Sequence, residues 1–229
     1  MRRLGREAIS SAMKAGRFGS VTLRSPEERP GDAGVIHTVE ETGLAFPEEM
    51  RDLYRVLWDC GITPYLVSAS PIELVRVGSE TVGLKVSPEH IFAMRARRDP
   101  AGRYICGYDY AWDGGCAQTF GPGKSQVIRR FIALLHGGRG PLLVCGDAES
   151  DMDMMTDWMG LGDTKLGLLL NHLRDPNRHP RLCLAAREAA DRPGGRFLLQ
   201  GLDKRTWKFR PAQTTIPENS EKPLLFFEN

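Results

Sequence analysis

The run Gly146-Asp147-Ala148-Glu149-Ser150-Asp151 places two carboxylates four residues apart, directly after the apolar stretch Leu142-Leu143-Val144. If the stretch is a strand and the residues beyond Asp151 a helix, Asp147 stands at the strand end and Asp151 in the first helical turn. Both can then offer oxygen to a hard octahedral cation such as Mg²⁺. Acidic residues at a helix start also suit its dipole with no metal, which is the reading for Asp153 and Asp157. An EF-hand is excluded, because the twelfth position counted from Asp147 is Trp158 rather than Glu.

Two further groups have the right chemistry to join them. Lys124, in Phe120-Gly121-Pro122-Gly123-Lys124-Ser125, sits behind a Gly/Pro turn where its ammonium can neutralise a phosphoryl group or a carboxylate as a point charge. A nucleotide-binding P-loop fails on spacing, since Gln118 stands where the motif needs glycine and no apolar strand leads into the turn. Ser68 ends the apolar stretch Pro64-Tyr65-Leu66-Val67, where its hydroxyl and neighbouring backbone amides, Ala69 included, can bind a phosphoryl oxygen. It is no nucleophile elbow, because Val67 and Ala69 replace the flanking sequence of GxSxG, and a plain helix cap is the competing role.

These residues must be delivered by strands alternating with helices. Helical spacing spans 4–15 and 47–60, the latter with Pro47 in its first turn and Gly61 as its stop. Further helices are predicted over 71–83, from Ser125, over 151–158 and over 181–190, with strands at 18–23, 65–67, 142–144, 166–170 and 196–199. Residues 91–97 and 103–108, joined by Asp99-Pro100-Ala101-Gly102, read as a β-hairpin inserted into the sheet. The alternation predicts an α/β fold with a doubly wound parallel sheet and its site at the strand carboxyl ends. We divide the chain into a partial cap at 1–45, an α/β core at 46–210 and a loosely held tail at 211–229.

Composition narrows the class without naming a reaction. The 229 residues, 41% hydrophobic and 26% charged, suit one good core, and a net charge of +2 gives no sign of a nucleic-acid partner. Arginine supplies most of the 31 basic residues. Arg95, Arg97, Arg98 and Arg103 read as a solvated hairpin face. Cys60, Cys106, Cys116, Cys145 and Cys183 have no zinc spacing; Cys60 and Cys145 read as small core residues, and Cys106 with Cys116 is a candidate pair in an oxidising compartment. No run approaches the ~20 apolar residues of a membrane span, and the basic N-terminus lacks the apolar centre of a signal peptide. The default compartment is the cytoplasm, with periplasm or secretion left open if a signal lies upstream.

The order strand-Ser68, Gly-flanked Lys124 before a helix, then strand-Gly146-Asp147 with Asp151 resembles motifs two, three and four of the haloacid dehalogenase-like phosphatase superfamily. Leu66-Val67-Ser68-Ala69-Ser70-Pro71, preceded by Gly61-Ile62, is similar to its phosphoserine and phosphorylcholine phosphatase branch, and the resemblance covers roughly 46–175. It implies a Rossmann-like core with a partial helical cap, Ser68 on the phosphoryl oxygen, Lys124 stabilising a phosphorylated intermediate, Asp147 and Asp151 on Mg²⁺, and a small phosphorylated metabolite as substrate. The family's first strand ends in DxD, whose leading aspartate is the nucleophile. No such motif precedes Ser68: Asp32 and Asp52 follow no apolar strand, Asp109 and Asp113 are four apart, and Asp151-Met152-Asp153 lies inside the metal motif. In the family that strand is central, so its loss leaves both neighbours with unpaired backbone groups. Two expectations follow: a phosphatase whose nucleophile strand lies upstream of Met1, or an inactive protein that binds phosphate esters and Mg²⁺. Tyr108-Asp109-Tyr110-Ala111-Trp112-Asp113 suits a quaternary ammonium group or ordinary hairpin packing.

Overall fold

The strands that carry Ser68 and Asp147 form in two separate pieces of parallel sheet. β3 (Leu66–Pro71) pairs in parallel with β4 (Ile91–Met94). β7 (Leu143–Gly146), β8 (Leu166–Asn171) and β9 (Phe197–Asp203) form the second piece, closed by the antiparallel β10 (Lys208–Phe209) in the order β10-β9-β8-β7. This computed structural model describes residues 2–15, 19–42, 44–109, 118–159 and 166–227. Within them the chain is mixed α/β with parallel sheet segments; the single continuous sheet expected from the alternation is not formed among the described residues.

Local chemistry explains the helices around these strands. α2 (Glu48–Asp59) begins behind Pro47, whose fixed φ suits a helix entry, and ends before Gly61 at φ +76, a left-handed conformation that glycine adopts without steric cost. α3 (Ile72–Thr81) follows β3 and receives α1 (Arg2–Ala15) on its outer face. The two approach closely at Gly5, where a Cβ would lie 2.9 Å from Leu74 Cδ2. β1 (Gly19–Arg24) and β2 (His37–Thr42) make an antiparallel hairpin beyond α1. The helix from Pro122 runs as α4 (Pro122–Val127), a π-helical turn (Ile128–Ile132) and α5 (Ala133–Leu135). α6 (Met152–Met159) leaves the β7 end through a 3₁₀ turn, and α7 (Pro180–Asp191) connects β8 to β9. One core joins β4, the helix from Pro122, β7, α6, β8, α7 and β9, with Val127, Ile128, Val144, Met152, Met155 and Leu169 buried at its centre.

Three expectations are corrected. Ile91 to Met94 belongs to the parallel sheet, and only β5 (Ala96–Arg98) with β6 (Tyr104–Tyr108) forms the hairpin. All four residues of β4 are buried, and a strand covered on both faces is a continuous apolar run, which alternation does not single out. The segment after 210 is held rather than loose. Thr215 is fully buried and exchanges backbone hydrogen bonds with Leu224, while the backbone amide of Ile216 donates to the carbonyl of Leu202 at 2.9 Å. Hydrogen bonding secures this stretch, and apolar periodicity cannot report it. Cys60 is exposed, whereas burial pushes the Cys145 thiol up to about 12, leaving it almost entirely protonated at neutral pH. Cys116 falls outside the described residues.

Among the described residues β3 and β7 each have a partner on one side only. Parallel strands are normally covered and paired throughout, yet Leu66, Val67, Leu143 and Cys145 are only half-buried. Such edges are templates for further pairing. The purified 229-residue chain should therefore self-associate as concentration rises over two decades in sedimentation velocity. A single monomeric species across that range would mean that the edges are protected.

Candidate functional site

Between the β3 and β7 edges lies a cleft of about 790 Å³. Its walls are mostly apolar, with Tyr54, Val67 and Ile132 among them, and Ser68, Lys124, Asp147 and Asp151 also line it. The strands flanking it run in the same direction. Thr119 Oγ1 donates to the Ser68 carbonyl near the end where Lys124 meets Asp151, while at the opposite end Tyr65 OH and His136 Nε2 are 2.9 Å apart, just before the turn into β7. The carboxyl ends of both strands thus open toward one polar pole, as the strand-end rule requires.

Lys124 and Asp151 form the centre of that pole. Lys124 Nζ lies 2.6 Å from Asp151 Oδ1, and the two residues are only 6% and 5% exposed. The lysine that a sequence reading would leave in solvent is thus a buried member of the site. Asp151 Oδ2 accepts the backbone amides of Asp147 and Ala148, each at 3.0 Å, which ties the strand end to the 3₁₀ turn (Glu149–Asp151). Gly146 makes this closeness feasible, since a Cβ there would lie 2.6 Å from Asp151 Cβ and 2.8 Å from Met155 Sδ. α7 braces the same turn, with Glu149 Oε2 accepting the amides of Arg181 and Leu182 at 3.1 Å. Asp153 and Asp157 are spent on structure: Asp153 pairs with Arg181 at 3.2 Å, and Asp157 accepts the Ser125 hydroxyl at 2.6 Å.

Asp147 is more open. Its Oδ2 accepts from Arg174 Nη2 at 2.9 Å and lies 3.6 Å from His172 Nε2. Its Oδ1 has no hydrogen-bond partner among the described residues. Burial pushes the His172 imidazole down to about 4, outweighing the pull of Asp147, so the ring is neutral at neutral pH. Neither His172 nor Arg174 was singled out from sequence. Both follow β8, so applying the strand-end rule to that strand would have drawn attention to them.

Ser68 is half-buried in the cleft wall, and its Oγ accepts the Ser70 amide at 3.2 Å while keeping its proton available to donate. Ala69 is exposed and is not part of the lining. The donor set suits a hard cation that retains part of its water shell, because Mg²⁺ is commonly held by one or two carboxylates and otherwise by water and phosphate. Asp147 has an oxygen to give. Asp151 has both oxygens engaged and would act through water or by releasing Lys124. Among the described residues no group of three His, Cys, Asp or Glu side chains is gathered into a metal shell. Tyr110, Trp112 and Asp113 lie outside the described residues.

Neither a family model nor a curated protein matches this chain. Among solved structures, the crystal structure of a conserved functionally unknown protein from Anaerococcus prevotii DSM 20548 is similar over 94% of this chain, with a TM-score of 0.76 and 26% identity. The match covers 53% of that protein, so this chain spans about half its length. A phosphoserine phosphohydrolase-like protein from Francisella tularensis subsp. tularensis SCHU S4 aligns at a TM-score of 0.38 and 15% identity, over 55% of this chain and 50% of that one. No helix among the described residues is long and apolar enough to cross a membrane.

Proposed function

We propose that this chain is part of a Mg²⁺-dependent phosphomonoester hydrolase of the haloacid dehalogenase-like type, with a nucleophilic aspartate contributed from outside these 229 residues. One observation carries the reading: Ser68, Lys124, Asp147 and Asp151, far apart in sequence, line the polar pole of one cleft. Their roles follow from their contacts. Ser68 Oγ–H donates to a phosphoryl oxygen, assisted by backbone amides at the end of β3. Lys124, fixed by Asp151, supplies a positive charge that need not reorganise as negative charge builds on phosphorus. Asp147 offers its open oxygen to the cation. When bound, Mg²⁺ supplies Lewis-acid neutralisation of the phosphoryl oxygens.

In the reaction, a carboxylate attacks phosphorus, the P–O bond to the leaving alcohol breaks, and that oxygen receives a proton. Water then hydrolyses the acyl phosphate, returning the carboxylate and releasing phosphate. The substrate class is a small phosphorylated metabolite, and residues 1–45 are assigned to part of a cap. A second reading, a catalytically inactive protein that binds phosphate esters and Mg²⁺, draws on a different observation. Among the described residues the carboxylates that line the cleft, Asp151 and Asp147, are each paired with a cation, Lys124 and Arg174.

The deciding experiment takes the protein as its source cell makes it, records its intact mass against 25.5 kDa, and assays phosphomonoester hydrolysis with Mg²⁺ and with chelator. The expected result is a heavier chain with chelator-sensitive hydrolysis, in which Asp147→Asn abolishes metal dependence. A 25.5 kDa chain that binds phosphate esters without turnover would establish the second reading instead. Metal dependence that persists in Asp147→Asn would remove Asp147 from the site.

A further inference from the structure

The turn after β8 is built around Asp147. β8 ends at Asn171, a buried side chain whose Nδ2 donates to the carbonyls of Gln213 at 2.8 Å and Leu225 at 2.9 Å. Its Oδ1 accepts the Leu173 amide at 3.1 Å, and its backbone carbonyl accepts the Thr215 hydroxyl. Leu173 is held at φ +53, in the left-handed region that a residue with a Cβ occupies only at some cost. Such a conformation persists when its surroundings over-determine it, and here a buried asparagine and the segment beyond residue 210 do so.

The product of that strained turn is Arg174. Its Nη2 donates to Asp147 Oδ2 at 2.9 Å and its Nε donates to the Asp147 backbone carbonyl at 3.1 Å, so one guanidinium grips both the side chain and the main chain of one residue. Cys183 Sγ lies 3.3 Å from the Arg174 carbonyl and fixes the arginine's own backbone. His172, whose ring lies tilted against that of Trp207 at 5.5 Å between centroids, closes the other flank of Oδ2. Arg174 does not line the cleft, whereas Asp147 does. It therefore acts on the carboxylate from behind. A solitary half-exposed ion pair is worth little, but this one terminates a buried hydrogen-bond network and a strained backbone, an arrangement that orients a group.

We propose that Arg174 is a positioning residue that fixes the Asp147 carboxylate with Oδ1 free and thereby sets the cleft's affinity for a divalent cation. This rests on the reading of Asp147 as a metal ligand. A rigid planar fork immobilises both the carboxylate and the peptide carbonyl, whereas a lysine ammonium offers the charge without the geometry.

The test measures Mn²⁺ binding, by calorimetry and by electron paramagnetic resonance, on the protein as its source cell makes it and on the same chain carrying Arg174→Ala, Arg174→Lys or Asp147→Asn. Arg174→Ala should weaken Mn²⁺ binding about 10- to 100-fold, the range found when an outer-shell partner of a metal ligand is removed. Arg174→Lys should fall between Ala and the parent, with the urea midpoint of unfolding unchanged. Mn²⁺ affinity in Arg174→Ala equal to or tighter than the parent's would overturn the proposal, making Arg174 a bystander or a competitor of the cation. If Arg174→Ala does not fold, Arg174→Lys decides: parental affinity in that variant also overturns it. Loss of Mn²⁺ in Asp147→Asn with parental affinity in Arg174→Ala defeats this proposal alone. An unmutated protein that binds no Mn²⁺ defeats the metal reading of Asp147 together with it.

Discussion

Replacing Lys124 with methionine should lower unfolding stability by about 3–5 kcal/mol, read as a shift of the urea midpoint at constant slope. The ammonium is the side-chain charge facing Asp151 Oδ1, and both residues are almost fully enclosed. Without it, a buried carboxylate retains two backbone amides and, among the described residues, no ion-pair partner. The double variant Lys124→Met/Asp151→Leu should recover most of the loss, because an apolar pair of similar size carries no desolvation penalty. Turnover should not recover with it. Removing one preorganised donor from a developing anion costs about 10²–10³ in rate, and the double variant lacks that donor as fully as the single one. A Lys124→Met protein with parental midpoint would show that the ion pair is not the buried contact described above.

Gly123→Ala should be more damaging than the ~1–3 kcal/mol typical of an overpacked core. A Cβ on Gly123 would collide with the Gln118 carbonyl oxygen and lie 2.7 Å from its carbon. Those are backbone atoms and cannot swing aside. The turn that starts α4 would have to open, carrying Lys124 away from Asp151 and Thr119 away from Ser68. Gly31→Ala, which meets nothing within 4 Å, serves as the neutral control. Similar unfolding midpoints in the two variants would contradict the close approach at Gly123.

Much of the site could be read from sequence because its signals are local. Asp147 and Asp151 lie within one strand-turn-helix unit, and their four-residue spacing already brings both to the same end of β7. Lys124 was recognisable as a helix start because Gly121 and Pro122 punctuate the chain there. Its burial was not recognisable, since the partner is 27 residues away and the distance between them depends on how α6 packs on α4. β4 was missed as a sheet strand for the converse reason: Ile91 to Met94 is covered on both faces, so it has no alternation to report.

Periodicity, turn residues and motif spacing determined the helices and most of the strands and marked Ser68, Lys124, Asp147 and Asp151 as candidates, because each of these signals is encoded over a few consecutive residues. Only the tertiary structure decided that the parallel strands form two pieces with a cleft between them, that Asp151 is committed to Lys124, and that Arg174 grips Asp147. Such outcomes depend on which distant surfaces meet. Asn171 bonding to Leu225 across 54 residues, and so fixing the turn that aims Arg174, leaves no local pattern in the chain.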